Sequence, residues 1–259
     1  MRRSPWLWCA GIAAYVFLYA PLVLVVVYSF NDSRLNAQWV GFTFAWYGKL
    51  FQNEQMLLAA RNSLLIALAV SVVSTALGTM AGFSLHRHRP RLLPALVLAT
   101  IAIPEILMAV SLLIFFVLLN ITLGMVSIVL AHITFCVGFV ALVVRARLAG
   151  MDESLTEAAC DLGATPAQAF RWVTLPLIMP GIVAGALMAF TLSLDDFVIT
   201  FFTAGVGSST LPLQIYTMVK IAVTPEVNAI STLLMLLTLT LILIATRLSP
   251  SVLRTDTSR

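Results

Sequence analysis

The sequence predicts an all-α membrane protein, a bundle of six transmembrane helices. Three observations carry that prediction. The 259-residue chain is 61% hydrophobic and only 10% charged, whereas soluble domains carry about 25% charged residues. Six segments each hold the ~20 mostly apolar residues that a helix needs to cross the hydrocarbon core. Lys and Arg gather at the ends of those segments, mostly on one side.

The first span is expected at 8–30, after Met1-Arg2-Arg3. That opening looks like a secretory signal, but the apolar run is too long and no A-x-A-like cleavage site follows. An uncleaved first span is the better reading. The segment after it carries Trp39, Phe42, Trp46, Tyr47 and Phe51. Such rings form the aromatic belt at a membrane surface, or offer a face to an organic cation. The second span, 63–85, holds the small pair Gly78 and Gly82. The third, 92–118, carries Pro94 and Pro104 and should kink. The fourth is placed at 125–144. The fifth, 181–202, has a stripe of small residues at four-residue steps, Gly181, Gly185, Ala189 and Ser193, which lets helix backbones approach closely. A short outer helix at 211–223 precedes the sixth span, 227–246. One membrane domain, 1–259, accounts for the whole chain.

Charge sets the orientation. With the N-terminus in the cytosol, Arg2, Arg3, Arg87, Arg89, Arg91, Arg145, Arg147, Arg171, Arg247, Arg254 and Arg259 are inside, and Arg34, Lys49, Arg61 and Lys220 outside. Eleven of the fifteen basic residues then lie in the cytosol, so both termini are expected there. His86 and His88 alternate with arginines and read as an anchor to the membrane surface rather than as metal ligands. Cys9, Cys136 and Cys160 have no metal or redox spacing.

The loop 147–177 is too polar to enter the bilayer. Asp152 and Glu153 suit the positive start of a helix. Residues 154–162 are helix-prone, and Gly163 is able to take the left-handed turn that ends them. Thr165 is a good N-cap and Pro166 suits a first helical turn. A second short helix is expected at 167–173, stopping before Leu175-Pro176.

Glu157-Ala158-Ala159, then Gly163, then Val173-Thr174-Leu175-Pro176 after nine further residues, resembles the signature loop of permease subunits of binding-protein-dependent ABC importers. Val173 stands where Ile is commoner. Further matches extend along the chain: Tyr19-Ala20-Pro21-Leu22, Tyr28-Ser29-Phe30-Asn31, Trp46-Tyr47, 131–136, 190–196 and 225–229. They are similar to the spermidine/putrescine importer permeases, C-type subunits above all. The resemblance implies the type I ABC importer permease fold and a multi-pass protein of the bacterial inner membrane. It implies a heterodimer with a B-type permease, two cytosolic ATPase subunits and a periplasmic polyamine-binding protein. Glu157, Ala158, Ala159 and Gly163, with Leu175 and Pro176, would form the loop that docks on the ATPase. The outer helix at 211–223 would meet the binding protein. No cofactor is implied in this chain; ATP and Mg belong to the partner ATPase.

Carboxylates inside spans suggest what passes. An ionisable residue at the centre of a span costs ~2.5–3.5 kcal/mol on insertion scales and needs a partner or water. Asp195, Asp196 and Glu105 are such residues, and neither the third nor the fifth span holds a Lys or Arg to neutralise them. Counted from the starts of their spans they lie ~20 Å along each, so a polyvalent cation would find them at similar depth. Adjacent helix positions diverge by about 100°, so one of Asp195 and Asp196 lines a path while the other accepts hydrogen bonds at an interhelical joint. Ser193, Trp46 and Tyr19 complete the candidate translocation path.

Other classes fit less well. No G-x-x-x-x-G-K-[ST] loop exists to hold a nucleotide. An ion-coupled secondary transporter would need no docking loop, and no internal repeat is visible. An intramembrane enzyme lacks an H-E-x-x-H or Ser/His constellation; His132 stands alone in its span as a packing or hydrogen-bonding residue. A permease for another organic cation or an amino-acid derivative remains the alternative substrate reading.

Overall fold

A computed structural model describes residues 5–33, 38–87, 91–221 and 224–248. His88, Arg89 and the terminal arginines of the charge argument lie outside these residues. The described chain is helical: α1 (Pro5–Tyr28), α2 (Ala45–Gln52), α3 (Glu54–Arg87), α4 (Leu93–Ala102), α5 (Glu105–Leu118), α6 (Met125–Ala149), α7 (Ser154–Asp161), α8 (Pro166–Ala169), a π-helical turn (Phe170–Thr174), α9 (Leu175–Asp195), α10 (Val198–Thr203), α11 (Leu211–Ile221) and α12 (Pro225–Leu248).

Among the described residues four helices are long and apolar enough to cross a membrane: Trp8–Tyr28, Glu54–Arg87, Met125–Ala149 and Pro166–Asp195. The sixth expected span falls on α12, whose apolar stretch is Pro225–Leu241. The third differs from expectation. It is not one kinked helix but two, α4 and α5, bent by 110° at Ile103-Pro104. Proline lacks an N–H and disfavours the helical region for the residue before it. Ile103 accordingly sits at ψ 130, and α4 ends there.

The chain divides into two compact units. One comprises Met1–Leu58 with Gln214–Leu239. Within it, Asn31 pairs with Phe42 in an isolated antiparallel bridge, and Phe30, Phe42, Phe44 and Tyr47 pack ring against ring. The other unit comprises Ala59–Leu213 with Thr240–Arg259, and α6 is its centre. Ile128, Cys136, Val140, Val144 and Leu148 of α6 are buried against Ile66 and Val70 of α3 and Ile178 and Ala189 of α9. The small residues make this approach possible. A Cβ on Gly78 would stand 2.6 Å from Val140 Cβ, and one on Gly82 2.7 Å from the Ala141 carbonyl oxygen. On the other side, a Cβ on Gly181 would meet Arg147 Cβ at 2.8 Å and one on Gly185 would meet Val140 Cγ1 at 3.1 Å. Lipid tails are as apolar as the side chains, so close packing of this kind rather than exclusion of water holds the helices together.

Candidate functional site

The close seam between α6 and α9 delivers His132 to Ser193, with Nδ1 2.8 Å from the hydroxyl oxygen. Two residues beyond Ser193, α9 stops. Asp196 turns out of the helix at ψ 127, and the chain resumes as α10 at Val198. A broken helix frees backbone groups that water cannot satisfy at membrane depth. Here Asp196 satisfies two of them. The Ile199 N–H donates to Oδ1 at 3.3 Å, and the Thr200 N–H and hydroxyl donate to Oδ2 at 2.8 and 2.9 Å. His132 Nε2 approaches the same Oδ2 at 3.1 Å and the Thr200 hydroxyl at 3.1 Å. The neutral tautomer that serves both neighbours carries its proton on Nε2, toward Asp196, and accepts from Ser193 at Nδ1. All four side chains are buried.

The bend of the third span meets this break. Glu105, the first residue of α5, brings its carboxyl close to that of Asp196. Below that contact α10 lies on α5 through Met108, Ala109, Phe116 and Ile199, with Ala131 of α6 beside them. The three carboxylates expected from two separate spans therefore do converge, but they are not equivalent. Asp196 is 6% exposed and its oxygens are engaged. Asp195 and Glu105 are exposed. The arrangement offers two open carboxylates supported by one buried one.

Several sequence expectations change here. Asp195 is the last residue of the 21-residue α9 rather than a position partway along a span, because α9 begins at Leu175 and breaks at Asp196. Asp196 does have a hydrogen-bonding partner, His132 of the fourth span. His132 is the hydrogen-bonding residue expected of it, but a separation of 61 residues concealed its partner Ser193. Ser193, His132 and Asp196 form a hydrogen-bonded series, yet the serine is buried in the seam between helices, where a substrate carbonyl has no access.

Trp46 packs into its own unit. It is buried, its indole N–H donates to the Asn31 carbonyl at 2.8 Å, and the Lys49 ammonium covers its ring at 4.2 Å. Trp39, Phe42 and Phe51 remain exposed, as rings at a membrane surface would be. Tyr19 is exposed on α1 and stacks on Tyr15 at 6.0 Å.

The helix pair at 154–174 is built from local signals. The Ser154 amide donates to Asp152 at 3.0 Å, and this bond with that of the Ser154 hydroxyl holds the Asp152 carboxyl below its usual range. Glu157 and Ala158 are exposed on α7 and Ala159 is half-buried. Gly163 takes φ +92, which side-chain-bearing residues rarely adopt. Thr165 caps α8 in a reciprocal pair with Gln168. The second helix does not stop before Leu175-Pro176, as expected from the prolines. It widens into the π turn and runs on into α9, with Pro176 in the first turn. A wider turn accepts a residue that lacks an N–H without ending the helix. Two contacts tie the pair to α3, a third joins α6 to the start of α9, and a fourth lies within the pair. His86 meets Glu153 at 3.2 Å, Phe83 meets Phe170 at 5.1 Å between centroids, Arg147 donates to the Leu177 carbonyl at 3.1 Å, and the Thr156 and Thr174 hydroxyls lie 3.5 Å apart. Leu162 and Trp172 stand almost fully in the open.

Sequence reasoning also missed Asn62 and Ser63. The Asn62 amide donates to the carbonyls of Gly207 and Ser209, and Ser63 accepts from the Leu211 N–H at 2.8 Å, fixing the turn before α11. Two polar residues opening an apolar helix were the available signal.

Comparison with known proteins agrees with this architecture. The family described as "Binding-protein-dependent transport system inner membrane component" matches residues 74–254. The spermidine/putrescine transport system permease protein PotC of Escherichia coli K12 is 43% identical over 234 residues, covering 89% of each chain. The putrescine transport system permease protein PotI of the same strain is 42% identical over 243 residues, 90% of this chain and 86% of its own. Among solved structures, a bacterial ABC transporter that imports the acidic polysaccharide alginate superimposes with a TM-score of 0.71 over 96% of both chains at 18% identity, a likeness of fold. The chain thus belongs to the binding-protein-dependent transport system inner membrane components: it is an inner-membrane permease subunit of an ABC importer, and not an enzyme.

Proposed function

We propose that this permease carries polyamines, spermidine or putrescine or both, across the inner membrane. The observation that carries the reading is 43% identity with a spermidine/putrescine permease along 89% of both chains. The chemistry of the helix breaks supports it independently. Asp195 and Glu105 are open carboxylates beside a buried third, and the sequence supplies no Lys or Arg within their spans. A chain of ammonium groups offsets such a cluster at two points and needs no metal or second ligand.

The remaining parts follow from that reading. A second, B-type permease completes the pathway, two ATPase subunits bind ATP and Mg, and a periplasmic binding protein delivers the polyamine. Both termini and the helix pair at 154–174 face the cytosol, where Glu157, Ala158, Ala159 and Gly163 contact the ATPase. Exposure of Leu162 at the turn and of Trp172 on the second helix suits a covered surface. The ties of Glu153 and Phe170 to α3, with the Arg147 bond between α6 and the start of α9, give the ATPase a handle on the membrane helices.

The test is uptake by the assembled importer in cells stripped of their own polyamine transporters. Saturable, ATP-dependent entry of labelled putrescine or spermidine is expected. Transport of an amino-acid derivative or another organic cation that excess polyamine does not inhibit would replace the polyamine reading with that substrate.

A further inference from the structure

We infer that His132 is a positioning residue for the cargo site: it holds Asp196 in the break between α9 and α10, and through that turn sets the place of Asp195. The inference rests on the polyamine reading above and adds a division of labour within the acidic cluster. Asp195 and Glu105 meet the cation, and Asp196 does not.

The geometry carries each step. Asp196 is the hinge of the broken span, extended at ψ 127 between two helices. Its carboxylate accepts two of the free N–H groups at the start of α10 and the Thr200 hydroxyl. A carboxylate buried this deeply is costly without a compensating donor. His132 is that donor, at 3.1 Å from Oδ2, and Ser193 fixes its ring from the opposite side at 2.8 Å. The ring comes from α6, the helix at the centre of the unit, so the break is referenced to the rigid core. Asp195 is the residue immediately before the hinge, and it is exposed. Remove the imidazole and Asp196 has reason to leave the cap and seek solvent. The turn that presents Asp195 then loosens, although no residue that touches the cargo has changed.

The complete importer in proteoliposomes, supplied with its binding protein and labelled putrescine, separates these roles. His132→Ala should raise the KM for uptake about tenfold and leave Vmax within about twofold. His132→Gln keeps an amide donor toward Asp196 and should recover most of that loss. Asp196→Asn retains one of the two capping oxygens without the charge, and should stay within about threefold of the wild-type KM, whereas Asp195→Asn should raise it about tenfold. In the Asp196→Asn background His132→Ala should cost less than about threefold, because no buried charge is left to compensate. The inference is overturned if Asp196→Asn is as damaging to KM as Asp195→Asn, for then Asp196 itself meets the cargo. It is equally overturned if His132→Ala is as severe in the Asn background as in the wild type, or if it lowers only the amount of assembled complex. Uptake by the wild-type importer tests the substrate reading separately, since failure there leaves no KM to compare.

Discussion

The helix pair at 154–174 and the joint around Asp196 are both short, polar interruptions of apolar chain, yet they are built by opposite means. The pair is made of neighbours. Asp152 bonds Ser154, Thr165 bonds Gln168, and Gly163 turns the chain at φ +92. Most of its side chains face outward. The joint is made of strangers: His132 and Thr200 are 68 residues apart, and Glu105 comes from another span altogether. His132, Ser193, Asp196 and Thr200 are buried there. Water can replace a lost hydrogen bond in the first region and not in the second, so equal changes in chemistry should have unequal effects.

The largest effect is expected where the joint's scaffold has no spare room. Gly82→Val would drive a side chain into the Ala141 carbonyl and Val144. Overpacking of this kind costs about 1–3 kcal/mol even where neighbours can yield, and here the nearest atom is backbone. Detergent-extracted importer should contain little assembled permease. Normal yield and melting temperature would mean that α3 and α6 lie farther apart than described.

Next comes the joint. Asp196→Ala removes the cap and takes from His132 its carboxylate partner, a loss of about 3–5 kcal/mol if it behaves as other broken buried pairs do. The melting temperature of the purified complex should fall clearly below that of Asp195→Ala. Equal melting temperatures would erase the distinction between the buried and the open carboxylate.

Asp195→Asn and Glu105→Gln should leave assembly intact and reduce putrescine uptake at low concentration about tenfold each, near 1.4 kcal/mol. Full uptake by both variants would remove the open carboxylates from the path. In the helix pair, Gly163→Ala places a side chain at positive φ, for about 1–2 kcal/mol of local strain. ATP hydrolysis coupled to transport should weaken while the membrane helices melt as before. Smallest of all, Thr165→Ala removes one cap for about 1 kcal/mol, and Thr165→Ser should restore it. If either change lowered stability as much as Asp196→Ala, the contrast between a solvated region and a buried one would fail.

Legibility followed the same division. The turn at Gly163, the cap at Thr165 and the outer helix now seen as α11 could be read because each depends on a few adjacent residues. The small-residue stripe at 181, 185, 189 and 193 signalled close approach but could not name the helix approached. The coordinates show that helix to be α6. Prolines were read correctly as disturbances and wrongly as to degree. Pro104 broke its span into two helices, while Pro176 was absorbed by a π turn that a proline pattern does not announce.

Composition and periodicity were enough to establish a helical membrane protein and the exposed loop with its caps. These properties are set by what each residue prefers in its immediate surroundings, lipid or water. The pairing of His132 with Asp196, the burial of one carboxylate and the exposure of two others, and the meeting of two broken spans came from the folded arrangement. They depend on which helix faces are pressed together across long separations, and that choice is made by packing, where small residues allow contact and buried charge demands a partner.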